Sequence, residues 1–307
     1  MRHYLRSLTS PVPVYLAVLF CALSLNGAAQ TVARRPAIAV LNFGDTRTAK
    51  EVVAQIAKAF ERNREEFRVI NPDQANAAAE GIGYKGSLNM TLGDARDLGS
   101  AVGCDFFFTS EAQTLRRYPS SGPIYFESYA SIFLVSARTG RLILWEQPVF
   151  QAPSAEEARK NLLDSLAKTS GYSWVIAIRR ALEDEREERA RAVENLAPVI
   201  AEAPNESDAT ISGLQLPRPY RRLKPPYTNE AAHAEVEAVV DVLVDIDASG
   251  EVSRVEVVRW AGYGLDQSVI ETVRQLHFVP AKRDGTAIPM RVLMRYNFRK
   301  PPQNSLP

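Results

Sequence analysis

The chain has 307 residues, of which 46% are hydrophobic and 24% charged, with 37 Lys and Arg against 36 Asp and Glu. That is ordinary globular composition, and the length suits about two domains. It excludes a collagenous, a globally disordered and a multi-span membrane chain. The balanced charge gives no positive field to steer phosphates, so no nucleic-acid partner is expected. Two cysteines, Cys21 and Cys104, exclude a disulfide framework and a Cys-rich metal site.

Arg2 and Arg6 precede an uncharged stretch, 7–33, whose apolar core runs over about 12–25 and ends in Gly27-Ala28-Ala29. A basic start, a short apolar core and a small-residue exit describe a secretory signal peptide over 1–29. The core is short for a membrane span, which needs about 20 residues, so a single uncleaved anchor is the alternative. A lipoprotein site at Cys21 is disfavoured by the bulky Phe20 before it. The body is expected in the periplasm, or anchored at the inner membrane and facing it. Cleavage takes both arginines, so 37 basic residues fall to 35 against 36 acidic. Cys104 is then alone beside Asp105, Phe106, Phe107 and Phe108, a setting for a small buried residue and not for a thiolate.

The first folded region is expected over 36–195. Residues 37–43 read as a buried strand, and Ala49, Val52, Val53, Ile56 and Phe60 recur at helical spacing. A second strand is expected at 67–70. Thr91 and Asp94 form a capping-box pair before a helix to about 102. Strands are expected at 104–115, 124–135 and 142–150, with a turn at Ala137-Arg138-Thr139-Gly140. Ser154 and Glu157 open another helix, which continues from Tyr172 into the mixed charge run 182–189, expected as a solvated helix surface. The order is a layered α/β arrangement with a mixed sheet. Residues 196–216, rich in Ala, Pro, Asn, Ser and Asp, read as a linker.

The second region, 217–300, carries the strongest pattern. Period-two alternation over 236–247 gives a long strand, turned by Ala248-Ser249-Gly250 into a partner strand at 251–259. Leu265, Val269, Val273 and Leu276 give a helix that Pro280 stops. After a turn at Asp284-Gly285, Met290, Val292, Met294, Tyr296 and Phe298 alternate along a last strand. The unit is β-β-α-β, a small antiparallel sheet with one face under a helix. The overall fold class is α+β.

Competing motifs have plainer readings. Asp245, Asp247, Ser249 and Glu256 match a calcium-loop template, but their flanks alternate as strands, so a hairpin is expected. Gly81, Gly83 and Gly86 match a dinucleotide string, yet no strand precedes them and no clear helix follows, so a loop is expected. His233 and His277 lie far apart without ligand-spaced neighbours. No nucleophile, metal or phosphate motif occurs, so no catalytic residue, no metal and no cofactor is assigned, and the protein is expected to be no enzyme.

Four segments carry a resemblance: KPPYTNEAA (224–232), VDVLVDIDASGEVSRVEVV (240–258), GLDQSVIETVRQLHFVPAKRDGTAI (264–288) and RVLMRYNF (291–298). Together, over about 217–299, they resemble the C-terminal domain of TonB, the periplasmic energy transducer of Gram-negative bacteria. More loosely, IAVLNFGDT and SIFLVSARTGRLILWE resemble the envelope domains of TolB and CsgG. Two features of the transducer are missing. Its anchor carries a polar Ser and His inside the span, and its spacer is long and Pro-rich. The resemblance implies binding of an envelope protein by strand addition, with an outer-membrane TonB-dependent receptor among the implied partners. A membrane-anchored transducer and an envelope assembly or scaffold factor are the alternatives, and self-association is left open. The candidate partner-binding residues are Arg291, Leu293, Arg295, Tyr296, Asn297 and Phe298 on the last strand. Arg291, Arg295 and Arg299 either select acidic or polar partners or solvate an exposed edge.

Overall fold

The computed structural model describes residues 34–41, 44–194, 200–205, 209 and 213–300. The expected signal or anchor segment lies outside them. No helix among the described residues is long and apolar enough to cross a membrane.

The first region is a six-stranded mixed sheet. Strands β1 (Ala37–Val40), β2 (Arg68–Val69), β4 (Phe106–Arg117), β5 (Tyr125–Ser136) and β6 (Leu142–Glu146) lie in the order β2-β1-β4-β5-β6. β7 (Val149–Ala152) pairs farther along β5. β1 pairs in parallel with β2 and β4, and the remaining pairs are antiparallel. Residues 142–150 therefore form two strands and not the single strand expected. Pro148 interrupts the run, because it has no N–H to donate to the ladder.

Both faces of this sheet are covered, so β1 and the first residues of β4, Phe106 to Phe108, are apolar on both sides. On one face Ile38, Val40, Phe106 and Phe108 pack against α1 (Arg47–Glu61), α4 (Ala155–Ser165) and Trp174 and Ile178 of α5 (Gly171–Glu194). On the other, Ala39, Phe107, Phe133 and Val135 meet α2 (Pro72–Gly81), α3 (Leu92–Val102) and the C-terminal region. The expected capping box forms on α3: the Thr91 side chain accepts from Asp94 N, and the Asp94 carboxylate accepts from Thr91 N. α2 completes the helices on this face, with Asn71 as its cap and Pro72 in its first turn. The 182–189 run is not wholly solvated. Glu185 is buried, where it accepts from Ser136 Oγ at 2.5 Å and from Arg138 Nε at 2.7 Å.

The C-terminal sheet is built on β10 (Ala238–Ile246), which pairs antiparallel with β11 (Val252–Trp260) and with β15 (Met290–Phe298). Val240, Val242, Val244 and Ile246 lie on one face with Leu265, Val269 and Val273 of α7 (Leu265–Val273). This helix ends seven residues before Pro280. Asp266 holds its start, taking Ala261 N at 2.8 Å and Gly262 N at 2.7 Å. The short α6 (Asn229–His233) precedes β10 and is capped by Thr228. β12 (Phe278–Val279), β13 (Ala281–Arg283) and β14 (Thr286–Ile288) fill the return to β15. They pair with β9 (Arg218–Pro219), with β8 (Leu214–Gln215) and with one another.

Strand β3 (Met90–Thr91) joins the two regions. It leaves the first region to pair with Arg259 and Trp260 at the end of β11, making a fourth strand of the C-terminal sheet. Asn89, just before it, binds three backbone groups. Its Nδ2 donates to Val239 O at 2.8 Å and Trp260 O at 2.6 Å, and its Oδ1 accepts from Val239 N at 3.0 Å. Trp260 is buried, stacks on Phe133 and donates Nε1–H to Gly140 O at 3.0 Å. Gly140 has φ +75°, and a Cβ there would collide with the Leu92 carbonyl, so the close approach requires glycine. Residues of both regions thus share one contiguous hydrophobic core.

Candidate functional site

The candidate residues sit on β15, the terminal strand of the order β15-β10-β11-β3. Register with β10 is unbroken from Ala238↔Phe298 to Ile246↔Met290. Side chains therefore alternate cleanly. Val292, Met294, Tyr296 and Phe298 turn toward the core, with Met290 on the same side in a small neighbouring cluster, and Arg291, Leu293, Arg295 and Asn297 turn toward the opposite face.

The backbone alternates as well. Arg291 exchanges its main-chain bonds away from β10: its N–H donates to Ala201 O at 2.9 Å, and its C=O accepts from Ala203 N at 2.7 Å. In an antiparallel ladder, residues two apart point their N–H and C=O the same way. Leu293, Arg295 and Asn297 thus present theirs outward too. Beyond them no strand pairs with β15 among the described residues. Arg291↔Asp245 and Arg295↔Asp241 are consequently non-hydrogen-bonded pairs, the kind whose side chains lie closest across the ladder.

That closeness forms two ion pairs. Arg291 Nε and Nη2 donate to Asp245 Oδ1 and Oδ2 at 2.6 and 2.8 Å. Arg295 Nε and Nη2 donate to Asp241 Oδ1 and Oδ2 at 2.7 and 2.9 Å, and Arg259 Nε reaches Asp241 Oδ2 at 3.2 Å. Both aspartates are 4% exposed, so the guanidinium groups roof them. The Arg295 hydrogen bond, with Arg259 adding, holds the Asp241 carboxyl below its usual range. The bond to Asp245 raises Arg291, and that to Asp241 raises Arg295. The two arginines are therefore already largely neutralised within the sheet. Leu293, 58% exposed, lies between them as an apolar side chain beside the open backbone. Tyr296 is half-buried, and Phe298 is buried against Tyr227.

The other singled-out residues serve structure. Asp247 Oδ1 takes Ser249 N, Ser249 Oγ and Glu251 N, which closes the β10–β11 hairpin, while Asp245 and Glu256 face arginines. Gly83 and Gly86 take positive φ in the loop after α2. His233 Nε2 lies 3.2 Å from the buried Glu127, and His277 Nδ1 lies 2.9 Å from Glu251. Burial first, then the charge of Asp105, pushes the Cys104 thiol up to about 12, far from a thiolate at neutral pH. A cleft of about 360 Å³ lies between the two regions, with Leu92, Trp260 and Ile270 in its lining. Its Arg141 is engaged by Glu188 and Glu256.

No curated protein matches the chain. Among solved structures it is similar to the TonB C-terminal domain of Pseudomonas aeruginosa, at 20% identity and a TM-score of 0.25, over 28% of this chain and 89% of that one. It is also similar to lipoprotein GNA1162 of Neisseria meningitidis, at 14% identity and a TM-score of 0.32, over 48% and 99%. A third is the LpoB C-terminal domain of Salmonella enterica, at 18% identity and a TM-score of 0.26, over 38% and 84%. Residues 224–299, which hold α6, the hairpin, α7 and β15, match the family model of the Gram-negative bacterial TonB protein C-terminal.

Proposed function

We propose that this is a non-enzymatic envelope protein whose TonB-like domain binds a segment of an envelope partner as an added strand on β15. The observation that carries the reading is the outward backbone of Leu293, Arg295 and Asn297 at a sheet edge. An extended peptide there gains main-chain hydrogen bonds, and its alternate side chains meet two different rows. One row is Val292, Met294 and Tyr296. The other is Leu293 between the paired Arg291 and Arg295. The family match over 224–299 supports a partner in outer-membrane transport, with an outer-membrane receptor as the first candidate and the periplasm as the place of work.

The test uses the full chain in its host, with a benzophenone side chain at position 297 to capture what lies beside β15. The comparison is Leu293→Pro. The Leu293 N–H points away from β10, so proline at this edge position spares the sheet and removes one donor that a partner strand needs. Capture that falls in Leu293→Pro, at unchanged melting temperature, is the expected result. Capture indifferent to this substitution overturns the reading.

A further inference from the structure

We infer that residues 200–205 of the chain gate the β15 edge by occupying its first outward position, so that a partner strand must displace them. The inference rests on the strand-addition reading above and concerns regulation of the same edge.

Glu202 lies opposite Arg291 in a parallel bridge, held by Arg291 N to Ala201 O and Ala203 N to Arg291 O. These two bonds take up the Arg291 N–H and C=O, the first outward backbone position of β15. Pairing stops there: Pro204 follows Ala203, and the next outward residue, Leu293, has no strand beside it among the described residues. The segment is thus a strand stub at one end of an otherwise open edge.

Its surroundings suit a stub that stays near but lets go. Ala203 packs on a small satellite cluster with Leu214, Ala281 and Met290, separate from the main core. The Glu202 charge adds to the attraction on Arg291. Downstream, β8 is tied to β13 through Leu214↔Arg283 and Gln215↔Lys282. The stub is therefore tethered close to the edge, which gives it a high effective concentration against any strand arriving from solution. The apparent affinity of a partner is lowered by the fraction of molecules in which the stub is docked.

Ala203→Pro removes the donor to Arg291 O, and Glu202→Lys replaces attraction of Arg291 by repulsion while leaving the stub backbone intact. One backbone bond corresponds to roughly a three- to tenfold change in the docked-to-free ratio. In the full chain, hydrogen exchange at the Arg291 amide is expected to quicken by roughly three- to tenfold in both variants, toward the rate at Leu293, Arg295 and Asn297. Capture from position 297 in host cells is expected to rise by roughly three- to tenfold. Capture that Leu293→Pro abolishes, but that neither stub variant changes, overturns the gate alone. Capture absent from every protein, wild type included, overturns the edge reading itself. An Arg291 amide that exchanges as fast in the wild type as in Ala203→Pro shows the stub undocked and also overturns the gate.

Discussion

Asn89→Ala tests how the TonB-like sheet is mounted. The side chain makes three hydrogen bonds, to Val239 O, Val239 N and Trp260 O, at 2.8, 3.0 and 2.6 Å. All three partners are backbone groups of the C-terminal sheet, and Asn89 belongs to the first region. Each such bond contributes about 1 kcal/mol net, and more where its partner is left dry. Asn89 is half-buried, so water reaches part of the gap and limits the loss. The expected cost is about 2–3 kcal/mol. With a urea dependence near 2–3 kcal/mol per molar, the unfolding midpoint falls by about 1 M. Asn89→Asp provides the control. It keeps the acceptor for Val239 N but sets carboxylate oxygen against two carbonyl oxygens. Its cost at neutral pH is therefore expected to equal or exceed that of alanine, and to shrink as the carboxyl protonates on acidification. Urea titrations followed by tryptophan fluorescence report both variants, because Trp260 sits at the junction. A midpoint shift below about 0.2 M for Asn89→Ala, or Asn89→Asp milder than Asn89→Ala, refutes the clamp.

Two further outcomes follow from the electrostatics. Arg291→Met leaves Asp245, 4% exposed, without the guanidinium that binds both its oxygens, whereas Arg295→Met leaves Asp241 with Arg259. Arg291→Met should therefore cost more, roughly 2–4 kcal/mol against about 1, measured by thermal or urea unfolding. Burial raises the Asp266 carboxyl from 3.8 to about 6 in the folded chain. Its contribution is fully present below pH 3.8 and lost as pH rises through 6, so Asp266→Asn should flatten the stability profile across that window by roughly 1–3 kcal/mol. Asp241 has the opposite sign: its folded value is lowered, so its contribution is present above the ordinary Asp range and is lost as pH falls.

Legibility tracked burial. The long strand β10 shows in the sequence because one face lies in the core and the other carries Asp241 and Asp245, which forces period two on the residues. The three phenylalanines 106–108 read as a strand because both sheet faces are covered there. The edge position of β15 came from the resemblance and not from the pattern, since an edge strand and an inner one alternate alike. The Asp–Arg pairs were within reach. Asp241 and Asp245 are four apart on one strand, and Arg291 and Arg295 are four apart on another, so an antiparallel register pairs them on one face. Pro148 was likewise visible as a break. β3 was not: two residues carry no period, and their partners lie some 170 positions away, so only tertiary packing makes them a strand. The stub at 201–203 was hidden for the same reason, inside a segment whose composition reads as linker.

The mounting bears on which role suits the fold. A transducer that passes force along a long spacer lets its terminal domain move independently of whatever precedes it. Here Trp260, Phe133 and the Asn89 clamp fix the TonB-like sheet to a second sheet through a shared core. The chain enters that second sheet at β1, an inner strand paired in parallel on both sides. The junction combines this shared core with the two-residue pairing of β3 and the Asn89 hydrogen bonds. For the strand-addition role proposed above, a mount of this kind holds β15 at a fixed orientation to the first sheet.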